Sequence, residues 1–247
     1  MTRTSSPTRK PRKWIARRLD ELDAERDHVE IVRLSTLYAA NALQMSWFYA
    51  VNTPSRGIAP AVMDAVWRDG TGIYNTHAQA RVHDSVDHLV VWLEHGPDAP
   101  ATIASVEMVN KMHRHYAEDY RAGFADIDDW IYILCLNGTA VYNSIVSLGL
   151  PGCDEKQKKA AHILWSRLAA RFEHVVEGGS VTDIRSFPDS FDAMVRFVDE
   201  YEARPWPVHP PGHDSTVSAI EHFARTQFPR PLHPHLASLA REGQRTA

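Results

Sequence analysis

The chain has 247 residues, a formal net charge of -4, 44% hydrophobic residues and two cysteines. This composition supports one substantial core and excludes polyanion binding by the chain as a whole, so nucleic acid is not expected as a partner. It also provides neither a disulfide framework nor a cysteine-rich zinc site.

The opening "MTRTSSPTRKPRKWIARRLD" carries seven Lys or Arg and no acid in its first eighteen residues. It reads as a basic, flexible arm over 1–18, either solubilising or in contact with an anionic surface, ahead of one helical domain over 19–247. No stretch reaches the roughly 18 consecutive apolar residues of a membrane span. The N-terminus lacks the unbroken apolar segment of a signal peptide, so no transmembrane segment and a cytoplasmic location are expected.

Beyond the arm, apolar residues recur near a period of 3.6 almost throughout, which predicts an all-α domain of about eight helices. The first covers much of "DAERDHVEIVRLSTLYAANALQMSWFYAV" and is stopped by "NTPSRG". "APAVMDAVWRDG" is a short helix with Pro60 early and Gly70 at its close. The next runs from about Asn75 to His95 and ends at "HGPDAP"; another occupies "ATIASVEMVNKMHRHYAEDYRAG". "DIDDWIYILCLNGTAVYNSIVSLG" is a long helix with an acidic start, which suits the helix dipole. "DEKQKKAAHILWSRLAARFEHVV" and "FPDSFDAMVRFVDEYEA" follow as amphipathic helices. After the prolines of "RPWPVHPPGH" come a helix in "STVSAIEHFARTQF" and a short tail helix near "PHLASLA".

The helix over 75–95 has two distinct faces. Val82, Val86, Leu89 and Leu93 form its packing seam. Across from them His77, Arg81, Ser85 and His88 stack at intervals of four, four and three, with Asp84 beside Arg81. A buried Arg must be paired or hold an anion. The row is thus either a solvated face with a local Arg81–Asp84 pair or one wall of a pocket. On the following helix His113 sits on an apolar side with Val109, Met112, Tyr116 and Tyr120, while Lys111, Arg114, His115 and Glu118 point elsewhere. Such a histidine is either a satisfied core residue or a neutral imidazole of the kind an axial iron ligand requires. Asp128 and Asp129 are expected to cap their helix, or to reach the Arg81 or His113 region. Cys135, in the run "WIYILCLNG", reads as a small buried hydrophobe.

Five fragments in this order carry a resemblance: "ARVHDS", "VNKMHRHY", "DIDDWIYIL", the helix holding Trp165, and "FVDEYEARPW" followed by "FPRPLHPHL". From roughly Val51 to Leu236 the chain resembles the mpaB/rubber-oxygenase catalytic-domain family, more closely its mpaB-like branch than the latex-clearing proteins. The resemblance implies a mostly helical fold around b-type haem (heme b, with iron) and oxygenase activity. It maps the proximal iron ligand to His113, the distal arginine to Arg81 and a distal hydroxyl to Ser85. Asp84 stands where the latex-clearing branch has a lysine, and no Glu matches that branch's upstream carboxylate; Asp64 is the nearest acid.

The expected function is therefore a haem-dependent oxygenase acting with dioxygen on a small hydrophobic or aromatic metabolite, with an external electron donor. Arg81 would serve bound oxygen or a haem propionate, Asp84 would hold Arg81, and Ser85 would be a weaker donor. His77 and His88 are candidate proton shuttles. The alternatives are a haem oxidase or peroxidase-like enzyme that inserts no oxygen, and a non-catalytic protein that binds haem or a hydrophobic ligand.

Overall fold

The computed structural model describes residues 13–39, 58–72, 77–147, 149–176 and 181–233. In chain order the helices are α1 (Trp14–Glu21), α2 (His28–Ser35), α3 (Pro60–Trp67), α4 (Ala78–His95), α5 (Pro100–Ala117), α6 (Ala122–Ala125), α7 (Ile127–Ser147) and α8 (Glu155–Ala169). An antiparallel hairpin of β1 (Glu173–Val175) and β2 (Val181–Asp183) precedes α9 (Phe191–Glu202) and α10 (Pro210–Gln227). The fold is predominantly all-α, as the periodicity predicts. No helix among the described residues is long and apolar enough to cross a membrane.

The core is organised around α7 and α8. Ile131, Leu134, Cys135 and Thr139 of α7 lie buried one or two turns apart and meet α8 and α9. On α8, Leu164, Trp165 and Leu168 are fully enclosed between α7 and α2. Truncating a leucine so placed costs about 2–5 kcal/mol, through lost transfer energy and the cavity left behind. A capping box fixes where α8 starts: Asp154 accepts from the Gln157 amide at 2.8 Å, and the Gln157 side chain accepts from the Asp154 amide at 2.9 Å. At the end of α4, Gly96 adopts a positive φ of 79°, and a Cβ there would lie 2.4 Å from a Val29 methyl. A side chain would push α2 away, so "HG" ends the helix for both conformational and packing reasons.

Four boundaries differ from the periodic reading. The long first helix stops at Ser35, where the Thr36 hydroxyl bonds back to the Val32 carbonyl at 2.6 Å and Tyr38 N–H reaches the Arg33 carbonyl. Local side-chain bonding competes with the helical ladder at that point. Residues 40–57, the rest of that expected helix, lie outside the described residues, as does the tail near "PHLASLA".

The end of the expected 1–18 arm is helical, because α1 begins at Trp14 and packs Trp14, Ile15 and Leu19 on the core; residues 1–12 lie outside the described residues. Arg18 pairs with Glu30 at 2.8 Å, and Lys156 Nζ donates to the half-buried Leu19 carbonyl at 2.8 Å. "FEHVV" is a strand rather than the end of α8, and α10 starts at Pro210, earlier than expected.

Candidate functional site

Helix α5 buries Thr102, Val106, Val109 and Ala117, and His113 continues that row at intervals of four, three, four and four. Its imidazole is half-buried against two rings, Trp130 at 5.0 Å and Phe124 at 5.3 Å between centroids. The Trp130 indole N–H donates to the Phe124 carbonyl at 3.1 Å, so that polar group is satisfied and the cage offers His113 hydrocarbon and ring faces. The aromatic partners come from α6 and α7, not from α5 as the sequence suggests. Met112 is 41% exposed, a correction to its expected place beside His113. Tyr116 instead lies under the Arg68 guanidinium at 4.2 Å. His115 is exposed, on the charged side as expected.

Two neighbours of His113 hold the hairpin on α5. Asn110, 3% exposed, donates to the Arg171 carbonyl at 2.9 Å and accepts from the Glu173 amide at 3.4 Å. One turn later Arg114 bridges Glu173 and Glu107. Arg114 thus joins the chain's packing rather than standing on a purely solvated face. No sequence spacing announces the contacts with Arg171 and Glu173, because these partners lie about sixty residues away.

On α4 the expected row divides. His77 precedes the helix and is exposed, and Asp84 is exposed, so neither contributes a dry wall. Ser85 and His88 are half-buried. Arg81 lies within α4, and its side chain falls outside the described residues. His88 Nδ1 lies 2.7 Å from Ser105 Oγ of α5, and the Trp92 indole N–H donates to the same oxygen at 2.8 Å. Either the Ser105 proton goes to His88 Nδ1, placing the imidazole proton on Nε2, or Nδ1–H donates to the oxygen's other lone pair. Ser105 orients His88, and no spacing along α4 points to it.

Rings then run from one histidine to the other. His88 stacks on Trp92 at 6.0 Å, Trp92 meets Phe172 edge-on at 5.3 Å, Phe172 lies 6.3 Å from Trp130, and Trp130 touches His113. An aromatic file thus runs between α4 and α5 by way of Phe172 and Trp130 of α7, with an imidazole at each end.

Asp128 and Asp129 neither cap α7 nor reach His113. Asp126 accepts from the Asp128 amide at 2.9 Å in the capping position. Asp128 pairs with Arg204 at 2.6 Å, and the guanidinium lies 4.5 Å over the Tyr201 ring. Buried Asp129 accepts from the Tyr201 phenol, which also stacks on Tyr132 at 4.0 Å. Burial pushes the Asp129 carboxyl above its ordinary range, with the Tyr201 hydrogen bond opposing. "DIDDWIYIL" and "FVDEYEARPW" are thus two halves of one interhelical lock.

Cys135 is fully buried and its thiol is pushed up by desolvation, which keeps it an inert hydrophobe. Asp64 is held by His209 Nε2 at 3.0 Å, joining α3 to the start of α10. Among the described residues no three His, Cys, Asp or Glu side chains converge as a metal cage. His113 is a single imidazole set against rings, the kind of group that could hold an iron macrocycle. Compared with known proteins, the chain matches no family model and no curated protein.

Proposed function

We propose that the chain is a haem-dependent oxygenase that uses dioxygen on a small hydrophobic or aromatic metabolite, with His113 as the residue that would hold the iron of a b-type haem. The observation that carries this reading is the placement of His113. It lies on the buried row of α5, with its ring against Trp130 and Phe124. The resemblance in "ARVHDS" and "VNKMHRHY" supports the same assignment. Bound haem would supply dioxygen binding and activation, chemistry that no side chain provides.

The protein's own contribution is positioning. The aromatic cage holds the ligand imidazole, and the Asn110 and Arg114 contacts stiffen α5 on either side of it. Arg81 would serve as the cationic donor toward oxygen or a propionate. Ser105 orients His88, which is better suited than exposed His77 to move a proton. Asp84, exposed, is assigned no more than a solvent-side partner for Arg81 at i,i+3. An external electron donor completes the reading.

The test uses full-length protein loaded with haem. An intense Soret band is expected, lost in His113→Ala with helicity retained and kept in His115→Ala. Arg81→Ala should keep haem but slow dioxygen-dependent turnover by an amount on the order of 3 kcal/mol. An unchanged Soret spectrum in His113→Ala overturns the ligand assignment. Isotope-labelled dioxygen in the product distinguishes oxygen insertion from dehydrogenation, and the absence of turnover on hydrophobic compounds would leave a binding protein.

A further inference from the structure

A cavity of about 100 Å³ lies between α2, α4, α7 and α8. Val86, Leu89 and Leu93 of α4 form one side, with Val141 of α7 and Ala161 and Trp165 of α8 opposite. These α4 residues are the apolar seam of the helix whose other face carries His88. None of the residues in the ring cluster around His113 lines this space. Its size sets the occupant: drug- and cofactor-sized pockets run to about 300–1,000 Å³, so a porphyrin does not fit. An apolar cavity of about 150 Å³ takes benzene, and this one is on the same scale.

Ser35, Thr36 and Gln157 in the wall are already engaged by the fold. Ser35 Oγ accepts from Gln157 Nε2 at 2.9 Å, and the other end of Gln157 closes the α8 capping box. The Thr36 hydroxyl donates to Val32, and burial keeps the Cys153 thiol neutral. An occupant therefore meets mainly hydrocarbon, ring faces and a neutral sulfur, with Asn137 as a neutral amide in the wall, and no lining side chain carries a charge to compensate a charged group. Val90, 38% exposed, lies at the rim and gives the space a mouth on the surface. We infer that this cavity is a binding site for a small neutral apolar molecule, no larger than one aromatic ring or a short branched hydrocarbon, separate from the His113 site.

The inference does not depend on haem, and its test reads binding directly. Full-length protein is titrated with benzene, with benzoate as the charged control, while methyl and ring contacts are mapped by NMR. Saturable benzene binding is expected, with magnetisation transfer to the methyls of Val86, Leu89 and Leu93, and no binding of benzoate there. Ala161→Leu and Val86→Phe, which fill the space from opposite walls, should each weaken benzene by about tenfold or more. No saturable binding to the wild-type chain overturns the proposal, as does transfer to methyls elsewhere or unchanged affinity in a folded filling variant. The wild-type contact map decides the matter even if neither variant folds.

Discussion

The phenol of Tyr201 on α9 donates its hydrogen bond to the buried carboxylate of Asp129 on α7, and this bond joins two sequence segments 72 residues apart. Removing the donor in Tyr201→Phe leaves an acceptor in the core without its partner. A loss of about 1–3 kcal/mol is expected in urea denaturation. A change below a few tenths would show that the bond contributes nothing net.

The same carboxyl sets a pH signature. Burial raises the Asp129 pKa in the folded chain above the ordinary value of about 3.9, so the folded state takes up that proton first as pH falls. Its contribution to stability is complete below the unfolded value and is lost as pH rises through the folded one. The stability of wild type relative to Asp129→Asn should therefore increase on acidification across that window. A difference that shrinks on acidification would contradict the raised pKa.

Ser105 serves His88 and Trp92 with one oxygen. Ser105→Ala should cost about 1–3 kcal/mol, because two polar groups lose a shared partner. The Trp92 indole proton should also exchange faster with water. Unaltered exchange would mean that the indole proton is protected by burial alone.

Asn110 fixes the chain at Arg171 and Glu173 from one side of α5. Asn110→Ala should accelerate amide exchange at Glu173, while leaving α9 amides protected. Arg114→Ala should do less to stability, since its ion pairs are partly solvated and such pairs contribute about 0–1 kcal/mol. Equal protection at Glu173 in the Asn110 variant would remove its role as a clamp.

A chain beginning at Lys13 should match the full-length chain in stability to within about 0.5 kcal/mol, because Trp14 is the first of the described residues to pack on the core. Deletion through Leu22 should cost more than about 2 kcal/mol, since it removes Trp14, Ile15 and Leu19 and leaves Lys156 without its carbonyl acceptors. Equal stabilities would show α1 to be dispensable.

The helices were legible wherever apolar spacing and stop signals agreed. Pro100, Gly96 and the Asp154 box place ends in α4, α5 and α8 close to where periodicity puts them. The hairpin was not, because "FEHVV" prolongs an amphipathic pattern and its strand partner becomes visible only after the chain turns back. Helix α1 was hidden by its charge: Arg17 and Arg18 alternate with the residues that bury. At the site, spacing along α5 indicated the apolar side of His113. The identity of its ring partners, the Ser105 bridge and the Asp129–Tyr201 bond all depend on contacts between helices. A one-helix pattern contains no information about which neighbour will arrive.

The aromatic file between α4 and α5 also has an optical consequence. Trp130 touches His113, so its excited state samples whatever the imidazole holds, and an iron porphyrin bound there would drain that emission by energy transfer over near-contact distance. Trp92 lies one ring further along, across Phe172, and its emission would fall with it. The difference in fluorescence between the wild-type chain and Trp130→Phe is therefore a built-in gauge of occupancy at His113, carried by the protein without any added label.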